Sequence, residues 1–144
     1  MNAQQAENIR ILIRHMESNV ERPLNMNAVA VCGTPACAMG ELPSAFQEFS
    51  LSDVDYRLDH NGSPKRIAMI SADFFGLGGK EFNPSNLHYR LFGASSCNAW
   101  GRSQVTPKEW AAEARKVLTE HGYRMDDGFA AFRAKVLEPV AVEA

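Results

Sequence analysis

Phe49-Ser50-Leu51-Ser52-Asp53-Val54-Asp55-Tyr56-Arg57-Leu58-Asp59-His60-Asn61-Gly62-Ser63-Pro64 is the stretch where helical spacing of apolar residues gives way to alternation. Its reading decides whether the chain is all helix or helix with a sheet element. Phe49/Leu51 and Val54/Tyr56/Leu58 each keep period two, with Asp53 and Asp55 between or beside them. Runs this short read as a small hairpin or as an extended loop. His60-Asn61-Gly62-Ser63-Pro64 then reads as a turn.

Helical spacing returns on both sides. Over 65–75, Ile67, Ile70, Ser71, Phe74 and Phe75 share one side. Gly76 is placed as a C-cap, with Leu77 as the apolar residue that folds back. Residues 4–20 form the clearest helix, with Ile9, Leu12, Ile13, Met16 and Val20 on one face, and Pro23 stops it. Leu24 to Val31 reads as a connector that buries Leu24, Met26 and Val29. A second helix is expected to start at Thr34 as N-cap with Pro35 in the first position. It runs past Gly40 until Pro43 kinks or ends it. Ser44 can cap a short continuation through Phe46 and Phe49.

Further along, Gly78-Gly79 reads as a linker, and a short helix spans Pro84 to Phe92. Ala94 to Ser103 is small and polar and reads as a loop. Thr106-Pro107-Lys108-Glu109 is a capping box with proline at the first helical position. The stripe Trp110, Ala114, Val117 and Leu118 follows it, and His121-Gly122 ends that helix. A last helix is expected over Asp126 to Leu137, with Phe129, Phe132 and Val136 inward. Residues 138–144 read as a frayed tail. The sum is a mostly α chain, one compact domain over 1–144, built as a bundle of about six short helices. A minor β-hairpin near residues 49–58 is the one β candidate.

Composition narrows the function classes. The chain has 144 residues, 45% of them hydrophobic, which is enough for a core. Fifteen basic residues stand against 17 acidic ones, a net charge of −2. That balance argues against general nucleic-acid binding, which needs a basic face, and equally against an acidic nucleic-acid mimic. Glu7 and Arg10 break any secretory-signal pattern at the N-terminus. No apolar run approaches the ~20 residues of a membrane helix, so no membrane partner is expected. Three cysteines is an odd count, and the chain reads as cytoplasmic with reduced thiols.

The run Val31-Cys32-Gly33-Thr34-Pro35-Ala36-Cys37-Ala38-Met39-Gly40 carries the strongest chemical suggestion. If a helix opens at Thr34, Cys37 falls in its first turn, where free N–H groups and the dipole favour a thiolate. A thiol-dependent enzyme or redox sensor on Cys32 or Cys37 would also need a base from His15, His60, His88 or His121, and nothing local supplies the pairing. Zinc would need Cys32, Cys37, His88 and Cys97, a set without the usual knuckle spacing. The small residues Ala36, Ala38 and Gly40 favour a third reading, a close-packed helix with Cys37 as a small hydrophobe. On that reading no cofactor is expected. Asp53, Asp55 and Asp59 lack the glycine and distal glutamate of a calcium loop, and Gly76-Leu77-Gly78-Gly79-Lys80 lacks the spacing of a phosphate loop. Trp100 and Arg102, in the 94–103 loop, are residue types enriched at binding hot spots and are the candidate binding residues.

The order of these pieces resembles a known pattern. Cys32-Gly33-Thr34-x-x-Cys37-x-x-Gly40 follows an amphipathic helix, and Phe75-Gly76-Leu77, Leu91-Phe92-Gly93 and Thr106-Pro107 come after it. This is similar to a loose family of small, uncharacterised proteins from bacteria and their phages with a C-G-T-x-x-C-x-x-G motif. The likeness runs from about Ile9 to Tyr123. In that family the motif leads into an uninterrupted helix, whereas here Pro43 intervenes. The resemblance implies no activity. It implies an accessory protein, bacterial or phage-encoded, at work in the cytoplasm. Small size and the lack of a catalytic set then point to a protein-binding module that modulates a host protein, such as a defence component.

Overall fold

The computed structural model describes residues 1–26, 30–31, 34–35, 37–54, 56–78, 87–92 and 104–125. Helix α1 spans Ala3–Asn19. Its start is a capping box: the Asn2 side chain accepts from the Gln5 N–H at 2.9 Å, and the Gln5 side chain accepts from the Asn2 N–H at 2.8 Å. Ala6, Ile9, Leu12, Ile13 and Met16 are buried along one stripe. Strands β1 (Leu24–Asn25), β2 (Ala30–Val31) and β3 (Thr34–Pro35) follow, then a 3-10 turn at Met39–Glu41 and helix α2 at Leu42–Ala45. Strands β4 (Phe49–Leu51), β5 (Arg57–His60) and β6 (Ser63–Arg66) lead directly into α3 (Ile67–Phe75). Helix α4 (Leu87–Phe92), strand β7 (Gln104–Val105) and helix α5 (Pro107–Glu120) complete the described elements.

This is a mixed α/β architecture, which corrects the expectation of a mostly α bundle of six helices. Among the described residues there are five α-helices, a three-stranded antiparallel sheet in the order β4-β5-β6, and the two-stranded pairings β1-β7 and β2-β3. The strands are two to four residues long. Alternation over so few residues leaves little periodic signal. In β1-β7 the register joins Leu24 to Val105, so the partner is remote in sequence.

The hairpin expected near 49–58 is part of a larger sheet. β4 pairs with β5 through Phe49↔His60 and Leu51↔Leu58, and β5 pairs with β6 through Arg57↔Arg66 and His60↔Ser63. The turn between β5 and β6 is Asn61-Gly62, both at positive φ (52° and 85°), the geometry that matches strand twist in a two-residue loop. The expected helix over 65–75 therefore starts at Ile67, because 63–66 is spent on pairing. The helix expected from Thr34 is also corrected. Thr34 and Pro35 pair with Val31 and Ala30 as antiparallel strands, and the 3-10 turn begins only at Met39. Pro43 sits in the first turn of α2, where a missing N–H costs nothing. Phe46 is extended and Phe49 is on β4. The helix placed at 126–137 and the tail at 138–144 lie outside the described residues.

Core packing centres on α1, which lies against α5, α3 and α2. Phe46, Phe49, Phe74, Phe75, Phe92 and Trp110 form a run of mostly edge-on and tilted ring contacts from the sheet to α5, for example 4.9 Å between the Phe46 and Phe74 centroids and 6.0 Å between Phe92 and Trp110. Helix α5 opens with the predicted capping box of Thr106 and Glu109, both bonds at 3.1 Å. It closes with Gly122 at φ 81°, where the Gly122 N–H reaches the Thr119 carbonyl and the Tyr123 N–H the Leu118 carbonyl. Among the described residues no helix is long and apolar enough to cross a membrane.

Gly76 ends α3 at φ 69° and lets the Leu77 N–H reach the Ser71 carbonyl at 2.9 Å. A Cβ there would lie 2.6 Å from Gln5 Oε1 and 3.0 Å from Met1 Cα, whereas a Cβ at Gly62 would meet nothing within 4 Å. Gly62→Ala should therefore cost about 1–2 kcal/mol from backbone conformation alone. Gly76→Ala should cost more, because it also displaces the capping side chain of α1. Urea unfolding of the two variants checks this, and equal losses would show that Gln5 yields without consequence.

Candidate functional site

The cysteine run is the first place to test for chemistry. Cys37 is buried at 4% exposure, and its Sγ accepts from the Gly40 N–H at 3.4 Å, bracing the 3-10 turn. Burial pushes the thiol up from 9.0 to about 11, outweighing the backbone N–H groups of Gly40 and Met39 that favour the thiolate. A sulfur held as the thiol at neutral pH is a poor nucleophile. The first-turn placement that favoured a thiolate is absent, since no helix starts at Thr34. Cys32 lies outside the described residues.

The next buried group surrounds Glu41. His15 on α1 and Glu41 on the 3-10 turn are both buried, and His15 Nε2 lies 2.9 Å from Glu41 Oε1. The other carboxylate oxygen takes an ion pair from Arg22. His15 Nδ1 lies 3.2 Å from Asn19 Nδ2. The Asn19 amide donates to Nδ1, so Nε2 carries the proton and donates to Glu41. Both ring nitrogens are thus engaged within the protein, and no lone pair faces a substrate. A general base needs one within reach of the proton it removes. The arrangement clamps α1 to the segment that carries Cys37.

The remaining predicted residues fall in separate places. His88 is buried on α4 beside Phe92, with ring centroids 6.3 Å apart. Cys97, the other member of the zinc set, lies outside the described residues, as do Trp100 and Arg102. Among the described residues no group of three or more His, Cys, Asp or Glu side chains is placed to hold a metal ion. His60 sits in the sheet, stacked on Phe49 at 4.3 Å, with Nε2 2.8 Å from Glu48 Oε2 and Nδ1 3.3 Å from Lys65 Nζ. His121 caps α5, its Nδ1 2.9 Å from the Val117 carbonyl. The hydrogen-bond partners of His15, His60 and His121 given above are carboxylates, an amide, an ammonium and a carbonyl.

A surface feature that sequence reasoning passed over stands at one end of the sheet. Among the described residues the exposed large hydrophobic side chains are Val54, Tyr56 and Met69, at 45%, 67% and 49%. Val54 and Tyr56 belong to the connection from β4 to β5. The Tyr56 carbonyl accepts from the Ile67 N–H at 3.1 Å, two residues before Met69 on α3. Tyr56 itself has φ 57°, a conformation that is strained for a bulky residue. Tyr56 alternates with Val54 and Leu58 in the sequence, yet of the three only Leu58 is buried.

No family model, curated protein or solved structure matches this chain. The C-G-T-x-x-C-x-x-G resemblance accordingly stays an expectation.

Two outcomes follow from the buried groups. With the Cys37 thiol raised in the fold, the unfolded chain loses its proton first as pH rises. The contribution is whole below pH 9 and is lost between pH 9 and about 11, on the order of 2–3 kcal/mol. Urea unfolding across that range should show a steeper fall for the parent than for Cys37→Ala, and parallel curves would contradict the burial. Glu41→Ala removes the buried acceptor of His15 Nε2 and one ion-pair partner of Arg22 and should cost on the order of 3 kcal/mol, with Glu41→Gln costing less. Thermal unfolding of both variants reads the difference.

Proposed function

We propose that this chain is a small accessory protein that acts by binding another protein through the Val54, Tyr56 and Met69 face. The observation that supports this is Tyr56: a bulky aromatic residue, 67% exposed, held at φ 57°. Such a conformation costs stability and turns the ring toward solvent, and strained backbone of this kind clusters at functional positions. Tyrosine and methionine are enriched at protein interfaces. The buried histidine–glutamate pair and the Cys37 thiol are both spent on internal contacts, which favours binding over catalysis. The cysteine count and the C-G-T-x-x-C-x-x-G resemblance support a bacterial cytoplasmic setting. They also support a phage or mobile-element factor whose target is a host protein, a defence component among the candidates.

The test places a photo-crosslinking residue at position 56 in cells of the native host. One discrete adduct is expected, and its protein is then purified as the binding partner. Tyr56→Gly should weaken that complex by about 2 kcal/mol while leaving the melting temperature equal or higher, since glycine relieves the positive φ. Unchanged affinity in Tyr56→Gly would remove this face as the binding site.

A further inference from the structure

Methionine sulfur is divided unevenly between the inside and the surface of this fold. All six methionines fall within the described residues. Met16 and Met39 are fully buried, and Met26 is nearly so. Met1 and Met125 are half-buried against the core. Met69 alone is exposed, at 49%. It sits in the first turn of α3, whose buried residues are Ile70, Ser71 and Phe75. Cys37 competes poorly for an oxidant, because burial holds its sulfur as the thiol. A thioether needs no deprotonation to react, so access to the sulfur sets its susceptibility.

Met69 also belongs to the face that carries Val54 and Tyr56. The Tyr56 carbonyl accepts from the Ile67 N–H at 3.1 Å, which ties the start of α3 to that connection. We infer that Met69 is an oxidation site, where hydrogen peroxide converts the thioether to the sulfoxide and so turns the Val54, Tyr56 and Met69 face from apolar to polar. A sulfur lone pair attacks one peroxide oxygen and the O–O bond breaks. The sulfur is oxidised by two electrons, and the other oxygen leaves as water. A methionine sulfoxide reductase with a dithiol reverses the step, giving back the thioether, water and a disulfide. The order of oxidation stands on exposure alone, whereas its effect on a partner rests on the binding reading above. A sulfoxide is polar and chiral, so an interface fitted to the flexible thioether loses its contact there.

Dilute hydrogen peroxide on the full chain, followed by peptide mass mapping, tests the order. Oxygen should appear on Met69 roughly tenfold faster than on Met16, Met26 or Met39, whose sulfurs are reached only when the chain opens. Met1 and Met125 should fall between. Met69→Leu should remove the fast phase and leave the slow ones unchanged. Protein oxidised at Met69 alone should melt at the parent's temperature. Comparable rates at all methionines, or a fast phase on a different one, overturn the site. A lower melting temperature after oxidation of Met69 alone overturns a switch confined to the surface. Crosslinking from position 56 in the native host reads the effect on binding. Met69→Gln, polar and of similar length, should reduce the adduct several-fold, while Met69→Leu should retain it. Equal adduct from the two variants overturns the switch and leaves the binding face standing. No adduct from the parent removes the binding reading and the switch with it, and the mapped order of oxidation then stands or falls by itself.

Discussion

Side-chain donors that satisfy carbonyls at the ends of neighbouring segments hold this fold together. A helix leaves its last carbonyls without intrahelical partners, and a buried one must find donors elsewhere. Here α1 supplies them. Gln5 Nε2 donates to the Asp73 carbonyl at 3.1 Å and Asn8 Nδ2 to the Phe74 carbonyl at 2.8 Å, both in the last turn of α3. Arg10 Nε donates to the Arg124 carbonyl beyond α5 at 2.7 Å, and its guanidinium lies over the Tyr123 ring. Trp110 of α5 does the same for α4, donating to the Leu91 carbonyl at 2.7 Å. Apolar burial alone would let these short elements slide; the donor–carbonyl matches fix which turn meets which.

The same economy explains why the residues most suggestive of chemistry are structurally committed. Cys37 braces the turn before α2, and Glu41 holds His15 and Arg22 from the adjoining position. His60 joins β4 to β6 through Glu48 and Lys65 while stacking on Phe49. In each case the polar atoms are directed at the protein's own segments. Tyr56, immediately before β5, is by contrast a large side chain exposed to water.

The β5-β6 hairpin exists because of a local signal and a remote one. Asn61-Gly62 sets a two-residue turn and hence the His60↔Ser63 register, from which the Arg57↔Arg66 opposition follows. The inner face is then anchored by Phe74 of α3, which packs edge-on to Phe49 at 5.0 Å. Without that cover, a sheet of such short strands would be marginal in water.

The chain's own order of residues determined much that is local. The α5 capping box, the Asn61-Gly62 turn, the Gly76 cap with buried Leu77, and the apolar stripe of α1 are all legible because each depends on neighbours within a few residues. Tertiary structure alone decided that Thr34 and Pro35 pair with Val31 and Ala30 instead of opening a helix, although their residue types suit a cap. It decided that 63–66 is a strand and that Leu24 meets Val105, pairings two to four residues long that leave no period to read. It also decided the candidate site. Whether Tyr56 faces water depends on register and cover across separate strands, and neither composition nor spacing carries that information.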